Sequence, residues 1–162
     1  MISYSEDGQR FNYRVAAIII VDDRVLLQTA EGEDFWTLPG GRCELMETSI
    51  ETLLREMKEE LKTDVEIGNL VWIVENFFGF ESESYHEMGL YYTVTIPDTA
   101  TFLSLNEFSC EDTGLEISFK WFDLENINTL KLYPSFLKAG LKDIPVIPTH
   151  LVHRDGVLES AG

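Results

Sequence analysis

The sequence predicts an α/β domain with a mixed central β-sheet and helices packed on its faces. Three observations lead there. Apolar, β-branched runs both precede and follow one strong amphipathic helix, and further helix appears only late in the chain. The chain has 162 residues, which fits one domain over residues 1–162. Hydrophobic residues make up 44% and aromatics 12%, enough for a sizeable core.

Tyr13 to Val21 reads as a central strand, Asp22-Asp23-Arg24 as a turn, and Val25 to Thr29 as its hairpin partner. Ala30 to Asp34 is a polar loop, and Phe35-Trp36-Thr37-Leu38 a short apolar piece broken by Pro39-Gly40-Gly41. Thr48 to Leu61 is the clearest helix. Thr48 and Glu51 form a capping box, in which hydroxyl and carboxylate satisfy free backbone N–H groups. Ile50, Leu53, Leu54, Met57 and Leu61 recur at helical spacing and predict one apolar stripe. Val65 to Phe78 reads as a strand interrupted at Gly68-Asn69, and Tyr85 to Ile96 as a second long strand. Thr99 to Gly114 reads as irregular loop and Ile117 to Phe122 as a strand. Asp123 caps a short helix through Leu130, and Pro134 opens another to about Leu141, because proline suits a first helical turn. The tail from Ile144, with Pro145 and Pro148, is expected to lie over the surface.

The net charge of −17 opposes binding to DNA or RNA polymers, which rests on Lys and Arg neutralising phosphates. It equally opposes a small phosphorylated substrate unless cations intervene. The acidity therefore reads either as a solvated surface or as carboxylates that hold divalent metal. No run is long and apolar enough to span a bilayer. Met1 to Asp7 lacks the basic start and apolar core of a signal peptide. Cys43 and Cys110 show no metal-type spacing and predict reduced thiols in a cytoplasmic setting.

Position decides between the readings of the acidity. On a helical projection Glu56, Glu59 and Glu60 share an arc beside the apolar stripe, while Arg55, Lys58 and Lys62 lie mostly elsewhere. Like charges at that spacing destabilise a helix, and a solvated face normally interleaves its signs. Clustered carboxylates are what a hard cation requires: Mg²⁺ takes oxygen ligands and keeps waters that phosphate oxygens can replace. An ordinary charged outer face is the competing reading of the helix taken alone.

The preceding segment shifts that balance. Gly41 is followed by five residues, Glu47, seven more, and then Arg55-Glu56-Met57-Lys58-Glu59-Glu60. This resembles the Nudix box, in which glycine, glutamate and an Arg-Glu-apolar-any-Glu-Glu run stand at those offsets. The match departs at its end, where Lys62 replaces a glycine and Thr63 an apolar residue. The resemblance implies a Nudix-type α/β/α sandwich with a mixed central β-sheet and Mg²⁺ as cofactor, with Mn²⁺ as an alternative. It implies that Glu56, Glu60 and the Gly40 carbonyl bind metal, that Glu59 is a ligand or water-activating base, and that Glu47 and Arg55 fix the loop onto the helix. A late-loop acid often completes such sites; Glu111 and Glu116 are the candidates by position, and Glu87 and Glu75 raise the same question inside strands. Where the family places a left-handed glycine, Lys62 is expected either to cost on the order of 1 kcal/mol or to end the helix differently.

Arg42, beside the Gly-Gly turn, and Arg14, on the central strand, are the candidates for substrate phosphates. Trp36, Phe77, Phe78 and Tyr85 are candidates for stacking on a base, with core packing the commoner role. His150 and His153 show no recognisable zinc pattern. The expected activity is Mg²⁺-dependent hydrolysis of a diphosphate linkage in a nucleoside diphosphate linked to a further group. Phe78-Gly79-Phe80 lacks the tyrosine or proline that marks the dinucleoside polyphosphate and ADP-ribose enzymes, so a nucleoside triphosphate is expected by elimination. The alternative is a non-catalytic nucleotide-binding or regulatory module of the same fold. Family members are often homodimers, although nothing in the sequence marks an interface.

Overall fold

The computed structural model describes residues 1–158. Its centre is a six-stranded mixed sheet built from β1 (Ser3–Glu6), β2 (Gln9–Ile18), β5 (Gly40–Arg42), β6 (Glu66–Phe80), β7 (Glu83–Thr95) and β10 (Thr149–Leu158). β1, β2, β7, β6 and β10 run side by side in that order, and β5 pairs with β2 off this path. β2 runs parallel to β7 and β10 parallel to β6, whereas β6 and β7 form a long antiparallel hairpin. A second, four-stranded antiparallel sheet orders β3 (Ile20–Val21), β4 (Arg24–Ala30), β9 (Leu115–Asp123) and β8 (Glu107–Asp112) as β3-β4-β9-β8.

The sequence places one strand over Tyr13 to Val21, but the chain changes sheets after Ile18. Its hairpin with Val25 shrinks to the pairs Ile20–Val25 and Val21–Arg24. Side-chain alternation explains why β2 stays central. Val15 and Ala17 enter the core under helix α1 (Ser49–Leu61), and Ala16 and Ile18 enter the core on the opposite face. The second core also takes Ile127, from a 3-10 turn at Leu124–Thr129, and Leu137 and Leu141, from and just after the four-residue helix α2 (Leu137–Gly140). The predicted mixed sheet is therefore present, with α1 on one face and the 3-10 turn and short α2 on the other.

Helix is scarcer than the sequence suggests. The segment after Asp123 closes as a 3-10 turn, and the segment after Pro134 reaches helical geometry only at Leu137. The tail from Ile144 is no surface strap: Thr149 to Leu158 adds a parallel edge strand to β6. Its alternating half-buried and exposed residues carry too little apolar content to announce a strand, and only pairing with β6 makes it one. The expected loop at 99–114 likewise contains β8, which zips onto β9 through a hairpin at Thr113-Gly114. Gly68-Asn69 does interrupt a strand, as a register irregularity in β6 between Ile67 and Leu70. Among the described residues, no helix is long and apolar enough to cross a membrane.

Candidate active site

Helix α1 begins at the predicted capping box. Thr48 Oγ1 accepts from the Glu51 N–H at 3.2 Å, and Glu51 Oε2 accepts from the Thr48 N–H at 2.8 Å. Its buried arc differs from the hydrophobic stripe. Leu53, Met57 and Leu61 are in the core, but Ile50 and Leu54 are exposed at 44% and 41%. Their place is taken by Thr52, Glu56 and Glu60, a polar row four residues apart that faces inward. The helix is thus rotated toward its carboxylates and away from two of its aliphatic side chains.

Each element of the box contributes to this row. β5 lies antiparallel on β2, pairing Gly41 with Val15 and Gly40 with Ala16. A Cβ on Gly41 would sit 2.2 Å from the Glu56 carboxyl carbon, and one on Gly40 would sit 2.1 Å from the Val15 carbonyl oxygen. Both positions therefore require glycine for closeness of approach. Arg55 donates to Glu47 through Nε at 2.7 Å and Nη2 at 2.9 Å, to Glu56 Oε1 at 2.8 Å, and to the Arg42 carbonyl at 3.3 Å. Glu47 also accepts from the Thr52 hydroxyl at 2.8 Å and from the Glu44 N–H at 3.1 Å. One guanidinium thus ties the loop, the strand and the helix together through charge-assisted bonds. The Arg55 hydrogen bonds hold the Glu47 carboxyl down to about 2.

Glu56 and Glu60 are buried, and Glu59 is about half exposed, with Arg55 Nη1 at 3.5 Å from its carboxylate. Burial raises the proton affinity of Glu56 against the pull of Arg55. Burial, reinforced by the Glu56 charge, pushes Glu60 up to about 8. Glu60 Oε2 is buried without a hydrogen-bond partner among the described residues. Such an oxygen is costly unless a proton or cation meets it. Among the described residues no three or more Asp, Glu, His or Cys side chains form a ready-made metal cage. The residues nonetheless fit a hard cation that completes its shell with water and substrate oxygens. They supply an orphaned buried carboxylate oxygen, a second buried carboxylate in a glycine cradle, and all-oxygen donors.

Arg14 and Arg42 stand opposite one another in the β2–β5 register. Arg14 donates to the Leu38 carbonyl at 2.7 Å, and its charge acts on Glu56 and Glu60 on one side and on Glu87 on the other. Beyond the arginines opens a cleft of about 210 Å³. It is lined by Asn12, Gln28, Asn76 and Glu87 and walled by Phe35, Phe78, Phe80, Tyr85 and Tyr133. Phe78 and Tyr85 stack at 4.8 Å. Phe77, one residue over in β6, stacks on His86 instead, and Trp36 packs edge-on against Phe122.

Glu87 is buried and charge-coupled to Arg14 and Arg42. Glu111 and Glu116 face each other across the β8–β9 hairpin and are exposed. The adjacent Asp112, on the half-buried face of β8 shared with Cys110, has its charge felt by Glu60. Sequence reasoning missed Asp112, and strand alternation within 107–112 was the signal that would have found it. It also missed Asn12, Gln28 and Asn76. For Asn76 the clue was an amide on the same strand face as Trp72 and Val74. Glu75 pairs with His150 at 2.8 Å, and His153 contacts Ser135 and Asp155, so neither histidine is drawn into the site.

The family model for the NUDIX domain matches residues 11–141. An RNA pyrophosphohydrolase of Halorhodospira halophila (strain DSM 244 / SL1) is 43% identical over 56 residues, covering 34% of this chain and 31% of that protein. The chain thus spans about a third of the length of this curated relative. Among solved structures, a MutT protein from Bacillus halodurans superposes with a TM-score of 0.60 at 17% identity, covering 93% of this chain and 95% of that one. A UDP-X diphosphatase superposes with a TM-score of 0.60 at 19% identity, covering 86% of this chain and 66% of that one. These two likenesses carry the fold, and the family match runs through the glycine cradle, the Arg55 tie and the carboxylate row. On that match the chain belongs to the Nudix family.

Proposed function

We propose that this protein is a Mg²⁺-dependent pyrophosphohydrolase that cleaves a diphosphate linkage in a nucleoside diphosphate linked to a further group, a nucleoside triphosphate above all. The observation that carries the reading is the pair of inward-facing carboxylates Glu56 and Glu60, one with an unpartnered oxygen, next to the paired arginines 14 and 42. Glu56, Glu60 and the Gly40 carbonyl would hold the cation, with Mn²⁺ an alternative to Mg²⁺. When bound, the cation neutralises phosphate charge and acidifies water.

The chain's own residues do the rest. Arg14 and Arg42 bind phosphate oxygens and orient the linkage. Glu59, the most exposed acid of the three, accepts the proton of the attacking water. The water oxygen bonds to one phosphorus as the bridging P–O bond breaks, and the electron pair leaves with the departing phosphate or pyrophosphate. Arg55 and Glu47 position Glu56 rather than touch substrate. Asp112, Glu111, Glu116 and Glu87 are the acids available for a supplementary role, and the coupling of Asp112 to Glu60 favours Asp112. A reduced, cytoplasmic setting belongs to the same reading, as Cys43 and Cys110 are both free thiols. The net charge of −17 favours small substrates over nucleic-acid polymers.

The test is a Mg²⁺-dependent hydrolysis screen over nucleoside triphosphates, nucleotide sugars, dinucleoside polyphosphates and RNA ends, repeated with Glu59→Gln and Glu60→Gln. Each variant should lose at least about 100-fold in turnover. Full rate in both would refute the site. Mg²⁺- and nucleotide-dependent thermal stabilisation without turnover anywhere on the panel would establish a binding module instead.

A further inference from the structure

The two sheets end on β1 and β10 and on β3 and β8. Three of these edges are poor templates for a further strand. β3 has two residues, β1 has four and runs into Glu6-Asp7, and β8 carries Glu107, Glu111 and Asp112 among its six. Short or charged edges are how β-proteins keep unpaired backbone groups from adding a foreign strand. β10 lacks both devices. Its outer side has no strand partner among the described residues. Thr149 to Arg154 keep regular register with β6 over six residues, and the irregularity comes only after Arg154. Those six residues include no acid, lysine or proline.

Two copies that each carry a charge of −17 repel, so they can meet only where the local charge is small. β10 meets that condition. Its single acid, Asp155, accepts from the Ser135 N–H at 3.0 Å and lies 3.1 Å from His153 Nε2. Glu75, opposite Val152 in the β6–β10 register, is paired with His150 at 2.8 Å. The Arg154 guanidinium lies over the Phe77 ring of β6 at 4.3 Å. Apolar surface accompanies this edge. Leu151 packs on the second core, so Val152 points to the opposite face, where it is 60% exposed. Val146 and Ile147 just before the strand and Val157 near its end are exposed as well.

We propose that β10 is a homodimer edge: Thr149–Arg154 pairs antiparallel with the same strand of a second copy and joins the two mixed sheets into one. A two-fold axis normal to the sheet pairs an edge with itself only antiparallel, and it keeps like faces together. Val152 of both copies then lies on one face, and Ile147 of each copy comes toward Val157 of the other. Main-chain bonds supply the affinity and these apolar contacts fix the register. So small an interface fits a concentration-dependent dimer with a Kd in the micromolar range. β10 lies beyond residues 11–141, so the edge belongs to this chain's own tail rather than to the matched family domain. The proposal is independent of the hydrolase reading, because it involves neither the carboxylate row nor the cleft.

Sedimentation velocity of the full chain over a concentration series tests it. The dimer fraction should rise with concentration, and hydrogen exchange should slow at Thr149–Arg154 in the dimer. Val152→Glu and Ile147→Glu should each raise the dimer Kd at least about tenfold, because the two-fold places the new charges near their own copies or near an apolar partner. Leu115→Glu, equally exposed but in the other sheet, should leave it unchanged. Ile147 lies outside every strand, so its variant decides the question should Val152→Glu detach β10. A chain that stays monomeric up to about 1 mM leaves this edge to a different partner and overturns the proposal. So does a dimer that Ile147→Glu leaves intact, or one whose exchange protection falls outside β10.

Discussion

Glu60 shows how one side chain trades stability for the proposed cation site. Its carboxyl is buried, one oxygen lacks a partner, and its proton affinity is raised to about 8. The sign of the linkage follows. Below the ordinary carboxylate pKa of 4.5 both folded and unfolded chains carry the proton, and Glu60 costs nothing by titration. Between 4.5 and about 8 the unfolded chain releases its proton and the folded one keeps it, so stability falls as pH rises through that window. Metal-free Glu60→Gln should therefore be more stable than the parent at pH 8, by on the order of 1–3 kcal/mol. The two should be equally stable near pH 4. Thermal denaturation at both pH values checks this. A parent as stable as the variant at pH 8 would mean that Glu60 already has a partner. Mg²⁺ should raise the melting temperature of the parent and leave that of the variant unchanged.

At the scale of the element, α1 carries two departures from simple amphipathic reading. The first is its rotation, which exposes Ile50 and Leu54 and buries Glu56 and Glu60. Hydrophobicity alone ranks those positions in the reverse order, and the glycine cradle under Glu56 is what reverses them. The second is its end. Lys62 adopts φ 55° and ψ 30°, the left-handed conformation that the family reserves for glycine. The strain is offset by the Lys62 ammonium, which donates to the Glu59 carbonyl at the helix end. Lys62→Gly and Lys62→Ala both remove that bond, but only alanine keeps the Cβ penalty. Urea denaturation should find the glycine variant more stable than the alanine variant by about 1 kcal/mol. Equal stability would show that the helix end relaxes out of the left-handed form.

Across the whole molecule, the cleft exists only because the two sheets approach one another. Asn12 and Asn76 come from the mixed sheet, Gln28 from the antiparallel one, and Asp155 and Leu158 from the last strand. That strand is an integral edge of the sheet: β10 pairs with β6 from Thr149 to Leu158 and buries Leu158. Truncation after Pro148 should therefore lower the melting temperature by on the order of 10 °C. A surface tail would leave it unchanged in differential scanning calorimetry. The net charge of −17 acts at this scale as well: on the proposed reading, phosphates would approach such a surface where Arg14, Arg42 and a cation locally reverse its sign.

The sequence by itself determined the helix, its capping box, the glycine-to-glutamate spacing and hence the family. Each depends on neighbours within about twenty residues, where local geometry follows from residue type. The tertiary structure alone decided which face of that helix is buried, that the tail is a strand, and that Asp112 rather than Glu111 lies on the half-buried face of β8. It also brought Asn12, Gln28 and Asn76 to one cleft. These features come from pairings between residues distant in the chain, where an edge strand or a lone amide has no local signature. Burial and hydrogen-bond satisfaction then select the arrangement.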